Sequence, residues 1–119
     1  MTFDTLVMSG GAHYGGLKTL GFLKRLFESK TISMKDITNI YGVSVGSLIG
    51  AVYSTLVDSE EIVDYVINRP WNFLVELSPD MIFNVINKKG IFNRTLICEI
   101  MKPLLSAKNL SCDITMKEF

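Results

Sequence analysis

The hydrophobic and polar positions along the chain predict two short strands, each followed by a helix, in the first half of the sequence. Residues 3–8 (FDTLVM) and 38–43 (TNIYGV) are rich in β-forming side chains, as short buried strands are. A helix running to about Ser29 follows the first strand. Residues 45–57 predict a second helix, whose small side chains allow close packing on a sheet. The apolar face of the first helix consists of Leu17, Leu20, Leu23 and Phe27.

The order strand, helix, strand, helix is typical of α/β folds, in which a helix crosses over between two parallel strands. Beyond residue 57 the pattern is helical. We therefore predict an α/β fold with a parallel sheet core and flanking helices, with an incomplete sheet and a helical second half.

Capping signals predict the remaining helices. Ser33 with Asp36 indicates a short helical turn before the second strand. Longer helices are expected from Asp58 to about Asn68, from Pro79 to about Asn87 and after Asn93, and Thr115 with Glu118 indicates one more helix start. In the helix after Asn93 we expect a kink at Pro103, and its apolar positions are Leu96, Ile97, Ile100, Leu104 and Leu105.

Composition and charge narrow the possible functions. The 119 residues, 48% of them hydrophobic, suffice for one domain or part of one. Twelve Lys and Arg residues balance twelve Asp and Glu residues, so neither a nucleic acid nor an acidic partner is supported. With only Cys98, Cys112 and one histidine, we expect two reduced, partly buried thiols, no metal and no cofactor. The N-terminus carries no targeting signal, which favours an intracellular, cytoplasmic protein.

One uncharged stretch, residues 37–57, is long enough to cross a membrane. It contains three glycines and several hydroxyl side chains, and Gly42 and Gly46 bracket a serine. A strand, a sharp turn and a buried helix explain this composition better than a membrane span does.

The turn between that strand and helix carries the first candidate chemistry. Residues 42–46 (GVSVG) fit the pattern G-x-S-x-G in the strand–turn–helix context of a nucleophile elbow. Gly42 and Gly46 remove side chains that would collide in the tight turn, and the Ser44 hydroxyl would then stand above the sheet edge. The alternative interpretation is a serine that caps a helix in a glycine-rich packing turn.

The segment 9–16 (SGGAHYGG) predicts a second specialised turn, also between a strand and a helix. Such turns align backbone amides toward an anion, either a nucleotide phosphate or the oxyanion of acyl transfer. The nucleotide interpretation is weak, because no Gly-Lys-Ser/Thr is present and Ala12 replaces the middle glycine of G-x-G-x-x-G. His13, Asp36 and Ser44 occur in chymotrypsin-like order, but that arrangement requires β-barrels; we interpret His13 as an ordinary loop histidine.

Together these segments resemble the patatin-like phospholipases. MSGGAHYGGLKTLGFLKRL and ITNIYGVSVGSLIGAVYS are similar to the oxyanion loop and the nucleophile elbow of that family, in the right order and at the right separation. GIFNRTLICEIMKPLL and DITMKEF look like its helical continuation. The resemblance covers essentially the whole chain but only the N-terminal portion of the family's single catalytic α/β domain, so residues 1–119 are expected to form that portion.

The resemblance implies a lipid acyl hydrolase that uses a Ser-Asp dyad. Ser44 would be the nucleophile, and the amides of Gly10, Gly11 and Ala12 would be the oxyanion donors. The family usually has a third glycine where Ala12 stands and Arg or Lys where Tyr14 stands, so this loop departs from the pattern twice. The neighbouring loop positions are further candidates for the site, namely His13, Tyr14 and Gly15.

The family's base is an aspartate followed by glycine, and none of the aspartates of this chain precedes a glycine. We therefore expect the chain to be the front part of a lipase domain with little or no activity by itself. The expected partner is a lipid or phospholipid ester. The apolar stretch 71–83 is interpreted as core packing, with an acyl channel or a peripheral membrane contact as the alternative. Two other functions stay open: a non-catalytic patatin-fold binding or assembly module, and a nucleotide-binding α/β module.

Overall fold

The computed structural model describes residues 3–55, 58–69 and 94–119. The chain divides into two compact units, Met1–Asn68 and Arg69–Phe119. The elements in chain order are β1 (Thr5–Met8), α1 (Ala12–Glu28), β2 (Asn39–Gly42), α2 (Val45–Ser54), α3 (Ser59–Asn68) and α4 (Arg94–Ala107).

The described strands β1 and β2 form a parallel pair that α1 connects. The register pairs Thr5 with Asn39 at one end and Met8 with Gly42 at the other. This arrangement confirms the predicted α/β class with a parallel sheet and flanking helices. It also confirms the helical character of the described residues in the second half.

Helix α1 packs on the core through Leu20 and Leu23, which are both buried, as the periodicity predicts. Leu17, which was predicted on the same face, lies at its margin and is 50% exposed. The turn predicted over residues 9–16 is shorter in the structure, because α1 already begins at Ala12. The prediction is therefore wrong for residues 12–16, which are helical. The reason is packing: a Cβ on Gly16 would lie 2.7 Å from Cγ2 of Val45, so glycine there lets α1 approach α2.

Helix α2 covers one face of the strand pair at close range. A Cβ on Gly50 would lie 2.7 Å from Cγ2 of Ile40 and 3.1 Å from Cε of Met8, which confirms the predicted tight packing of this helix. Val52 and Tyr53 of this helix are buried, and the centre of the Tyr53 ring lies 5.5 Å from that of the Phe27 ring in α1. The core of this unit therefore lies between α1, α2 and the strands.

The described part of the uncharged stretch 37–57 is divided among β2, a turn and α2, as predicted. Among residues 3–55, 58–69 and 94–119, no helix combines the length and the apolar character that a membrane crossing requires.

Three of the predicted capping positions form hydrogen bonds. The Lys35 amide donates to Ser33 Oγ at 3.3 Å in a short 3₁₀ turn, and the Glu60 amide donates to Asp58 Oδ1 at 2.8 Å where α3 begins. The amide and the hydroxyl of Thr115 both donate to Glu118 Oε2, at 3.0 and 2.8 Å, and these bonds lower the pKa of Glu118. Residues after Thr115 form a turn and not the helix that was predicted.

Helix α4 buries Ile100, Leu104 and Leu105, and it continues past Pro103 to Ala107. Ile97 of the same helix is 48% exposed. Both cysteines are free thiols: Cys98 is half-buried, whereas Cys112 is exposed and not partly buried as predicted. The predicted helix 79–87 and the apolar stretch 71–83 lie outside the described residues.

Two glycines in helices provide a matched test of this packing. A Cβ on Gly21 meets nothing within 4 Å, whereas a Cβ on Gly46 would lie 2.6 Å from the carbonyl oxygen of Met8. We expect Gly21→Ala to raise the free energy of unfolding by about 0.5–1 kcal/mol, because alanine is the better helix former. Gly46→Ala should lower it by about 2 kcal/mol or more, because the backbone must shift. Chemical denaturation of both variants checks the pair, and equal effects would contradict the packing.

Candidate active site

The two glycine turns lie at the same edge of the strand pair. Because β1 and β2 are parallel and Met8 pairs with Gly42, both strands end at this edge. The Val43 amide donates to the Met8 carbonyl at 3.0 Å and extends the pairing by one bond. The chain then enters α1 after one turn and α2 after the other, so both helices begin here.

Ser44 has a backbone conformation that residues with a side chain rarely adopt. Its φ and ψ are 54° and −126°, and the Gly46 amide donates across it to the Val43 carbonyl at 3.0 Å. These angles are those of the first central residue in a type II′ turn, a position that favours glycine. Strain of this kind costs on the order of 1–3 kcal/mol and is found mostly at functional sites.

The Ser44 side chain is exposed and makes no capping bond to α2, although Ser44 occupies the N-cap position. Its carbonyl oxygen, by contrast, accepts from the Ser47 amide at 2.9 Å. The hydroxyl does not satisfy an amide of the helix, which a capping serine would do. The alternative interpretation of Ser44 as a helix cap therefore does not describe this turn.

The glycines on either side of Ser44 stand where a side chain has no room. A Cβ on Gly42 would lie 2.6 Å from the backbone nitrogen and the Cα of Ser47, and a Cβ on Gly46 would lie 2.6 Å from the Met8 carbonyl oxygen. Backbone atoms cannot move aside as the end of a flexible side chain can. The sharp turn thus depends on both glycines, which is the steric reason for the G-x-S-x-G spacing.

The first glycine turn touches Ser44 directly. A Cβ on Gly10 would lie 3.1 Å from Cβ of Ser44 and 3.8 Å from its Oγ. Gly11 (φ 145°) and Ala12 (φ 49°) then redirect the chain into α1, and the Gly15 amide closes the first helical turn on the Gly11 carbonyl at 2.8 Å. The positive φ of Ala12 is a second point of strain, of about 1 kcal/mol, at a position where the family usually has glycine.

The first turn contains three consecutive backbone amides, those of Gly10, Gly11 and Ala12. Within the described residues, the amides of Gly10, Gly11 and Ala12 donate none of the hydrogen bonds made in turns and loops. Backbone amides that are not paired within a protein bind water or a ligand. Donors adjacent to a serine hydroxyl are what an oxyanion hole requires.

The electrostatic surroundings of the edge favour a negative charge. Helices α1 and α2 begin at this edge, and neither has an acidic residue in its first turn. Residues 5–17 and 37–55 contain no Asp, Glu, Lys or Arg. The partial positive charges of the two helix N-termini are therefore not offset by a carboxylate of these segments.

The other candidate residues lie around this edge or far from it. His13 and Tyr14 are in the first turn of α1, and the Tyr14 side chain is 70% exposed. Asp36 precedes β2 and so lies at the opposite edge, about 13 Å away by the length of a four-residue strand. The His13–Asp36–Ser44 arrangement is therefore excluded.

Asp4 also lies at the opposite edge, where its carbonyl oxygen accepts from the Thr38 amide at 2.8 Å. Among the described residues, no three His, Cys, Asp or Glu side chains come together as metal ligands would. Val43, which is 67% exposed beside Ser44, was not predicted at the site; its position inside G-x-S-x-G was the available signal.

The strain at Ser44 can be measured without any catalytic assay. We expect Ser44→Gly to exceed Ser44→Ala in free energy of unfolding by about 1 kcal/mol, because only glycine relaxes the positive φ. Both variants remove the hydroxyl, so the difference reports the backbone alone. Urea denaturation of the two proteins measures it, and an alanine variant as stable as the glycine variant would contradict the strained turn.

Comparison with known proteins adds a finding that is independent of this geometry. The sequence model of the patatin-like phospholipases matches residues 6–116, which include both glycine turns and Ser44. No curated protein and no solved structure matches the chain. The family match covers nearly the whole sequence and agrees with the α/β fold of the described residues. The chain belongs to the patatin-like phospholipase family.

Proposed function

We propose that this chain carries the nucleophile and the oxyanion hole of a lipid acyl hydrolase. Patatin-like phospholipases act on lipid esters, which supports a substrate of that class. The observation that carries the proposal is the contact between the two turns, where Gly10 adjoins the exposed and strained Ser44. A serine that only stabilised the fold would not need this combination of strain, exposure and adjacent amides.

In the proposed reaction, Ser44 Oγ attacks the carbonyl carbon of the ester as its proton passes to a general base. The carbonyl oxygen becomes an oxyanion and accepts hydrogen bonds from the amides of Gly10, Gly11 and Ala12. Collapse of this intermediate breaks the ester bond, and the alcohol leaves with a proton. Water then attacks the acyl-serine and releases the fatty acid, which regenerates the Ser44 hydroxyl.

The general base is the part of the proposal that the described residues do not supply. Both described aspartates of the strand pair, Asp4 and Asp36, are at the edge opposite Ser44. By the family resemblance, the base is an aspartate followed by glycine, a pair that this sequence lacks. Ser44 of the 119-residue chain should therefore react slowly, as a serine hydroxyl without a base does.

Covalent labelling tests the role of Ser44. We expect a fluorophosphonate to modify Ser44, and the rate to rise about tenfold per pH unit without levelling off, because hydroxide must replace the missing base. Peptide mass spectrometry after timed labelling locates and quantifies the adduct. Ser44→Ala is the control and should remain unmodified; an adduct that persists at equal yield in this variant would refute the proposal.

The oxyanion turn has a test of its own. Gly10→Ala should slow the labelling of Ser44 by about 10²–10³-fold, because the new Cβ would lie 3.1 Å from Cβ of Ser44 and displace the adjacent amides. Gly21→Ala is the matched control, since a Cβ there meets nothing within 4 Å, and its labelling rate should equal that of the wild type. Equal labelling rates for the two variants would show that the turn at Gly10 does not contribute to the reaction of Ser44.

The labelling experiment also discriminates between the candidate functions. A folded protein that binds lipid but is not labelled at any pH would favour the non-catalytic binding module. That outcome is physically reasonable here, because the described residues contain the nucleophile geometry without a base. The amides of the first turn would also suit a nucleotide phosphate, but the sequence lacks Gly-Lys-Ser/Thr and has Ala12 in place of the middle glycine of G-x-G-x-x-G.

A further inference from the structure

The outer face of α1 differs from an ordinary solvated helix surface. Helix geometry places seven residues within an arc of roughly 140° on the side opposite the buried Leu20 and Leu23. All seven are exposed. They are Tyr14, Leu17, Lys18, Gly21, Phe22, Arg25 and Glu28, and we call them the α1 outer face.

Apolar and aromatic side chains occupy three of the seven positions of the α1 outer face. Tyr14 is 70% exposed, Leu17 50% and Phe22 64%. Isolated exposed apolar residues are common, but apolar residues grouped within two turns of one helix indicate a contact surface. Gly21 lies among them and adds no side chain that would hold a flat partner away.

The charged side chains of the α1 outer face are Lys18, Arg25 and Glu28. Glu28, at the end of the helix, forms an ion pair with Lys24 at 2.9 Å, so its negative charge is compensated. Lys24 also lies 3.8 Å from Glu60 of α3, which places that acid on the flank of the helix and beyond the outer face. The face as a whole is therefore apolar and positively charged.

This chemistry matches an anionic phospholipid bilayer. Aromatic rings and Lys or Arg together are typical of helices that lie in the membrane interface, where rings enter the headgroup region and cations meet lipid phosphates. Aromatic residues and Arg are common in protein interfaces as well, whereas Lys is depleted there, so Lys18 is the residue that favours the bilayer over a protein partner. The same helix begins at Ala12, close to Gly10 and Ser44, so a bilayer on this face would adjoin the candidate active site.

We propose that the α1 outer face is the surface by which this protein docks on an anionic phospholipid bilayer. The inference rests on the proposed function, since a lipid hydrolase must bring its nucleophile to esters held in a membrane. Tyr14, Leu17 and Phe22 would insert into the boundary between headgroups and acyl chains. Lys18 and Arg25 would be attracted to the anionic surface.

Vesicle co-sedimentation of the full chain tests the docking surface without a catalytic assay. We expect binding to vesicles of phosphatidylcholine with phosphatidylserine, weaker binding at high salt and little binding to phosphatidylcholine alone. Lys18→Gln and Arg25→Gln should each lower the affinity about fivefold, and Phe22→Ser about tenfold or more. These positions are exposed, so circular dichroism spectra should match that of the wild type.

Exposed residues elsewhere provide matched controls. Lys117→Gln removes one exposed positive charge and Met116→Ser one apolar side chain that is 89% exposed, and neither should change vesicle affinity. Ser44→Ala should bind as the wild type does, which separates docking from the proposed chemistry. The proposal is overturned by wild-type protein that stays in the supernatant, by equal binding to both vesicle types, or by controls that lose affinity as much as the α1 variants.

Discussion

Close approach of two backbone turns at the carboxyl edge of β1 and β2 is the constraint on which the rest of this structure depends. The parallel register brings Met8 beside Gly42, and the two chain segments leave the edge with almost no space between them. Gly10 and Gly46 stand where any side chain would meet the neighbouring turn or the end of β1. This contact fixes where α1 and α2 begin, and so it positions the residues of the candidate site.

The two turns combine a strained backbone with an exposed Ser44 side chain. Ser44 and Ala12 both have positive φ, and each belongs to one of the two turns that meet at this edge. The surrounding packing of α2 on Met8 and Ile40 supplies the stability that such conformations require. Meanwhile the Ser44 hydroxyl and the amides of the first turn are left free of internal hydrogen-bonding roles in the described turns and loops. A fold that holds polar groups ready in this way is suited to stabilise charge that develops during a reaction.

The sequence predicted the strands, the elbow and the course of the first four elements, because these depend on local signals. Short β-forming runs, G-x-S-x-G spacing and small residues in α2 each have one physical interpretation in this context. The start of α1 was harder to predict, since glycine favours a turn and close helix packing equally. Gly16 serves the second purpose, against Val45.

Side-chain exposure was less predictable than the elements themselves. Leu17 and Ile97 fit the apolar periodicity of their helices, yet both are about half exposed, because an amphipathic pattern defines a broad face and the packed neighbours decide which part is covered. The proximity of Gly10 to Ser44 was expected from the family resemblance, but the closeness of their contact and the positive φ of Ala12 depend on backbone geometry. No residue pattern encodes those quantities directly.

A crystal structure of the chain with Ser44 phosphonylated by a fluorophosphonate would test the central claim most directly. The claim predicts that the phosphonyl oxygen lies about 3 Å from backbone nitrogens of the turn formed by Gly10, Gly11 and Ala12. A phosphonyl oxygen directed to solvent, with those amides bound only to water, would contradict it.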